Sequence, residues 1–309
     1  MKHFLSLNAL TVDEIEQILD VGHQMKQQLA QGILEPCAQG KTLAMIFEKD
    51  SMRTRISFEV AMTQMAGHAI FIVSQDLKMG LRESVEDVAR VMSRYVDIIM
   101  IRTFAQQTLE RFAEYASVPV INGLTDACHP CQIMADMLTL QERFDDLENV
   151  RIAFVGDGNN IARSLAIVCA KMGIPFVCAS PAGYELKTDE LQNLTGETSS
   201  CVKLTADPAE AVSVSNVVYT DVWASMGQED EAEQRRSVFK PYQVNSALMA
   251  QAPEDAVVMH CLPAHRGDEI TDDVIDSDQS IVFDQAENRL HMHKAIIRFL
   301  LEHRAEGAR

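Results

Sequence analysis

Thr42-Leu43-Ala44-Met45-Ile46-Phe47, followed four residues later by Ser51-Met52-Arg53-Thr54-Arg55, decides how this chain is read. The first stretch is a short apolar run without alternation, the pattern of a parallel strand buried on both faces. Ile56 to Met62 then repeats apolar residues at helical spacing, and Ser51 is a natural cap for that helix. Arg53, Thr54 and Arg55 therefore fall in a first helical turn just after a strand. Cations oppose the dipole there, whereas unpaired backbone N–H groups already favour an anion. Two guanidinium forks and two hydroxyls suit a phosphate or carboxylate at that point. The competing reading is a solvated helix start with surface arginines.

Working outward, strands are expected over 69–73, 97–101 and 118–122, with helices over 84–95, 107–116 and 132–144. Upstream, Thr11 and Glu14 form a capping-box pattern before a helix to about residue 30. The polar segment Asp145–Asn149 is a candidate domain boundary. A second alternation follows, with strands over 151–155, 175–179, 216–220, 256–260 and 280–283 and a helix over 160–172. Residues 227–242, rich in Glu, Gln and Arg, read as loop and irregular structure, residues 74–83 as a mobile or interface loop, and 286–303 as the last helix. Such alternation predicts an α/β chain of two domains, each a parallel sheet with helices on both faces.

Composition narrows the function. Apolar residues make up 47% and the charge is 27 − 45 = −18, which fits a soluble protein that repels nucleic acid and anionic lipid. The clustered arginines then stand out as a pocket for a small anion. No apolar run reaches membrane-spanning length, the start lacks a secretion signal, and seven cysteines suit a reducing cytoplasm.

Ligands of open parallel sheets bind beyond the carboxyl ends of the strands. The expected strand ends lead to the arginine motif, to Arg102, to His129-Pro130-Cys131-Gln132, to Gly156-Asp157-Gly158-Asn159-Asn160, to Asp221-Val222-Trp223-Ala224-Ser225-Met226-Gly227 and to His260-Cys261-Leu262-Pro263. Each also has a plainer reading. Cys128 and Cys131 match a redox C-x-x-C, but that chemistry has no use for the arginines. His260-Cys261 is the one other Cys/His pair available to zinc. The glycines at 156 and 158 lack the third glycine of a dinucleotide fingerprint and suit a tight turn. His129 and Cys261 are each compatible with a buried core role.

Taken together these motifs resemble the transcarbamylase family, and within it the ornithine branch, over almost the whole chain. The arginine motif, with Phe47-Glu48-Lys49 before it, and His129-Pro130-Cys131-Gln132 are shared across that family and imply carbamoyl phosphate. The segments at 221–227 and 260–263 are narrower and imply ornithine. The resemblance implies a carbamoyl-phosphate domain over 1–145, completed by a C-terminal helix 286–309 packing back on it, and an ornithine domain over 146–285. It implies transfer of a carbamoyl group to the δ-amine of ornithine, giving citrulline and phosphate, without cofactor or metal, by a cytoplasmic homotrimer with active sites at subunit interfaces. Ser51, Met52 (through its backbone), Arg53 and Thr54 would hold the phosphate. Arg102, His129 and Gln132 would reach the carbamoyl and phosphate oxygens, helped by Arg289, Cys261 and the Leu262 carbonyl. Asn160, Asp221, Ser225 and Met226 would grip ornithine. Arg53, Arg102, His129, Gln132 and Cys261 are the expected catalytic set.

Two letters depart from the family pattern: Met52, where ornithine enzymes commonly carry Thr, and Lys78, where Gln is frequent. In aspartate relatives a lysine in that loop reaches a neighbour's site, which implies phosphate binding by Lys78 across a subunit boundary. The rival substrates are N-acetylornithine and putrescine. The rival classes are a catalytically silent binding protein and a thiol redox protein.

Overall fold

Leu43, Ala44, Met45 and Ile46 are all fully buried, so consecutive side chains on opposite faces of the strand are covered. The computed structural model describes residues 2–73, 83–187, 200–225, 227 and 229–307. It divides into two compact units, Met1–Leu138 with Asn288–Arg309, and Thr139–Glu287. Two helices, Pro130–Phe144 and Val282–Gly307, run from one unit into the other.

The first unit carries strands β1 (Thr42–Phe47), β2 (His68–Val73), β3 (Ile98–Arg102) and β4 (Val120–Leu124), all parallel, in the order β2-β1-β3-β4. The chain moves from β1 to β2 on one side, then crosses to β3 on the other. The strand order therefore reverses between β1 and β3, the place where open sheets leave a crevice beyond their carboxyl ends. The helix Val12–Ala30 opens with the Thr11–Glu14 capping box. Its Gly22 lies against the C-terminal helix so closely that an added Cβ would fall 2.5 Å from the Met292 sulfur. That helix is further seated by His293 stacked on Phe58 at 3.7 Å and by Arg298 donating to Glu35 at 2.8 Å. It therefore belongs to the first unit over most of its length, as expected.

The second unit holds β5 (Ile152–Val155), β6 (Phe176–Ala179), β7 (Val202–Thr205), β8 (Val217–Thr220) and β9 (Val257–His260). These too are all parallel, in the order β7-β6-β5-β8-β9. Here the reversal lies between β5 and β8. Its core gathers Val155, Val218, Trp223, Phe239, Tyr242 and Val258.

Three expectations are corrected. Residues 280–283 form no strand: Ser280 makes a single bridge to Val258, and Val282 already starts the last helix. The short run Ile281-Val282-Phe283 suits either state by pattern alone. Residues 229–242 are not irregular but carry the helix Ala232–Phe239 between two short 3-10 turns. Strand β7 went unread because it is an edge strand with both middle residues exposed. The loop expected over 74–83 falls, apart from Glu83, outside the described residues, as do Lys78 and Met226.

Candidate active site

At the first reversal, Ser51 caps the helix Met52–Gln64 and accepts the Thr54 N–H at 3.2 Å. Its hydroxyl donates to Thr54 Oγ1 at 3.0 Å, and Arg289 Nη2 donates to the same oxygen at 2.9 Å. A hydroxyl has two lone pairs and one proton, so Thr54, accepting twice, keeps its proton to give. No acidic residue stands in the first turn of this helix. Arg289 also donates to Gln132 Oε1 at 2.7 Å, and Gln132 Nε2 donates to the fully buried Asp136 at 2.8 Å. Residues far apart in sequence thus form one hydrogen-bonded chain, Ser51–Thr54–Arg289–Gln132–Asp136. Asp136 was not anticipated; its i,i+4 spacing from Gln132 on one helix was the available signal.

Arg102, at the end of β3, is buried and donates from Nε to the Lys49 carbonyl at 3.2 Å. His129 is buried beside these cations. Burial first, then the charges of Arg289, Arg102 and His293, hold its pKa well below 6.5. At neutral pH it is an uncharged imidazole, with one N–H and one acceptor nitrogen. Arg53 stands half-buried in the first turn. Arg55 turns away: its guanidinium lies 3.9 Å from the Phe71 ring centroid and pairs with Glu59 at 2.9 Å. Met52 is 68% exposed, so its side chain packs against little within this chain.

The second reversal is built on Asn159, which caps the helix Asn160–Met172 by accepting from the Ile161 and Ala162 N–H groups. Its Nδ2 donates to Asp221 Oδ2 at 2.8 Å, while the Cys261 thiol donates to Asp221 Oδ1 at 3.0 Å. The ends of β5, β8 and β9 thus converge on one carboxylate. Asn159 makes this junction, and Asn160 begins the helix, with its carbonyl accepting the Ser164 hydroxyl at 2.6 Å. Ser225 is half-buried on the loop after β8. Leu262 holds φ +55, a conformation costing roughly 1–2 kcal/mol for a side chain of this kind. The Leu262 N–H donates to His260 Nδ1 at 2.8 Å and so secures that turn.

The structure also decides the plainer readings. All seven cysteines are free thiols. Burial pushes Cys131 up to about 12, the opposite of what a redox thiolate needs. Asp221, His260 and Cys261 bring potential metal-ligating atoms within 4.8 Å of one another. However, His260 Nδ1 already accepts from Leu262, and Nε2 pairs with the buried Glu269 at 3.1 Å. Both ring nitrogens are engaged inside the protein, which does not fit a zinc ligand.

Residues 2–142 match the carbamoyl-P binding domain of aspartate/ornithine carbamoyltransferase, and residues 148–300 match its Asp/Orn binding domain. An ornithine carbamoyltransferase from Carboxydothermus hydrogenoformans is 51% identical, with 97% of each chain covered. The solved ornithine carbamoyltransferase from Pyrococcus furiosus superposes with a TM-score of 0.94 at 48% identity, covering 97% of both chains. A solved N-acetyl-L-ornithine transcarbamylase is more distant, at 29% identity and a TM-score of 0.87 over 97% of this chain and 100% of that one. The chain belongs to the aspartate/ornithine carbamoyltransferase family.

Proposed function

We propose that this protein transfers the carbamoyl group of carbamoyl phosphate to the δ-amine of L-ornithine, releasing L-citrulline and phosphate. The observation that carries the reading is the hydrogen-bonded chain from Ser51 through Thr54 and Arg289 to Gln132, at a helix start free of acids. Ornithine as the acceptor is supported by the carboxylate of Asp221, held between Asn159 and Cys261. It is further supported by the two relatives near 50% identity, both ornithine carbamoyltransferases.

In this reading the first unit binds the donor. Ser51, the Met52 backbone, Arg53 and Thr54 take the phosphate, joined by Arg289 and, from outside the described residues, Lys78. The exposed Met52 side chain leaves its backbone N–H unaffected. Arg102, neutral His129 and the Thr54 proton point to the carbamoyl oxygen, where negative charge grows as the tetrahedral centre forms. Gln132 gives one N–H to Asp136 and its oxygen accepts from Arg289, and the second N–H of its amide reaches the carbamoyl and phosphate oxygens.

Asn160, Asp221, Ser225 and Met226 take the amino-acid head of ornithine. Asp221 suits a cationic α-amine, which N-acetylornithine lacks. Putrescine has no α-carboxylate for the remaining groups. Asp221 and Cys261 orient the δ-amine, which attacks in its neutral form, and the Leu262 carbonyl meets the carbamoyl end. The departing phosphate takes the proton. Alignment of two bound substrates and fixed donors supplies the acceleration, so the chemistry calls for no covalent intermediate. Residues 1–145 with 286–309 would serve carbamoyl phosphate and 146–285 ornithine, in a cytoplasmic homotrimer.

The test is direct. The protein is mixed with carbamoyl phosphate and ornithine, N-acetylornithine or putrescine, and phosphate and the carbamoylated product are measured. Citrulline from ornithine alone is expected; product only from another amine would overturn the reading.

A further inference from the structure

Arg235 is a cation in an apolar place. It lies on the helix Ala232–Phe239 with its side chain 8% exposed, and Phe239, one turn on, packs on Trp223 and Tyr184 at centroid distances of 6.0 and 4.9 Å. Its Nη1 donates at 2.9 Å to Asp157 Oδ2 and at 2.9 Å to the Trp223 carbonyl, and its Nε donates to Glu231 at 3.0 Å. The guanidinium also lies over the Tyr184 ring, 4.9 Å from its centroid. Asp157 belongs to the loop after β5 and Trp223 to the loop after β8. One side chain therefore ties together the two loops that meet at Asp221 through Asn159.

The Asp157 loop has no slack on its other side. The Gly158 N–H donates to the Tyr184 carbonyl at 2.8 Å, and a Cβ at 158 would come within 2.5 Å of the Leu186 nitrogen. With that backbone held, Arg235 is a second tie between this loop and the Trp223 segment, beside the Asn159–Asp221 bond. A lysine carries the same charge but lacks the planar fork needed to reach both acceptors and Glu231 at once.

We infer that Arg235 is a positioning residue for the amine substrate, fixing Asn159–Asn160 and Asp221–Ser225 in one register through Asp157 and the Trp223 carbonyl. This rests on the assignment of those loops to ornithine. Burial raises the pKa of Asp157, and the Arg235 charge and hydrogen bond oppose that rise.

Full-length Arg235→Lys, Arg235→Gln and Asp157→Asn would be assayed with both substrates varied. Arg235→Lys is expected to raise the ornithine KM by about tenfold, since small misplacements of a bound reactant are costly. The carbamoyl-phosphate KM should stay within twofold. Asp157→Asn should shift ornithine in the same direction by a smaller factor. Arg235→Gln should exceed Arg235→Lys; if it fails to fold, the other two decide. Folded variants with an unmoved ornithine KM, or with both KM values rising together, would overturn the inference while an active wild type keeps the functional reading. Failure of all three to fold would make Arg235 a fold residue only and also overturn it. A wild type that forms no citrulline removes both.

Discussion

The two sheet reversals share one plan and carry opposite chemistry. Between β1 and β3 a helix start without acids is joined by Arg289 to Gln132, with Arg102 and neutral His129 buried beside them. Between β5 and β8 a helix start capped by Asn159 leads to a carboxylate and a thiol. The backbone supplies the same anion-friendly helix end in both places. In the proposed reading, side chains decide what comes there: a dianion at the first, and at the second a zwitterion whose ammonium is met by Asp221. Topology locates the sites and a handful of residues divides the labour between them.

The comparison breaks most visibly at Arg53. Arg53→Ala should lose roughly a thousandfold in kcat/KM for carbamoyl phosphate, the scale of removing a charged donor from a reacting group. Near-normal turnover in steady-state assays would remove its phosphate role. At the other reversal, Asp221→Asn should raise the ornithine KM about a hundredfold, equal to about 2.7 kcal/mol, through loss of a charge-assisted contact. An unchanged ornithine KM would count against it. Asp136→Leu sharpens the first site, since it frees the Gln132 amide to rotate. A loss of about tenfold in kcat is expected, on the scale of one hydrogen bond.

A smaller effect concerns acid stability of the first unit. His293 is buried against Phe58, and burial, followed by the Arg289 charge, holds its pKa well below 6.5. The unfolded chain binds that proton near pH 6.5 and the folded chain does not. Stability from this residue is therefore complete above pH 6.5 and falls as the pH drops below it, by about 1.4 kcal/mol per pH unit at most. His293→Leu should flatten the decline in Tm between pH 6.5 and 5. An unchanged slope would assign the acid sensitivity elsewhere.

Much of the first site was legible because its residues are chemically conspicuous. Arginines in a first helical turn oppose the helix dipole, and Ser51 advertises the cap. Arg55 looked equivalent to Arg53 in the motif, but only packing shows that it stacks on Phe71 instead. The helix Ala232–Phe239 was hidden for a related reason. Only Arg235 and Phe239 of its residues are buried, and a buried arginine erases the apolar periodicity by which helices are read. Asp136 and Asn159 were passed over because an acid on a helix and an asparagine in a turn are ordinary until their partners are known. Strand β7, half exposed at an edge, offers almost no pattern.

Division of labour between the reversals is tested most directly by binding carbamoyl phosphate alone, in a calorimeter, to wild type, Arg53→Ala and Asp221→Asn. The expected result is no measurable binding to Arg53→Ala and an affinity within about threefold of wild type for Asp221→Asn, which leaves the donor-binding residues in place. Retained binding by Arg53→Ala, or an equal loss in both variants, would contradict it.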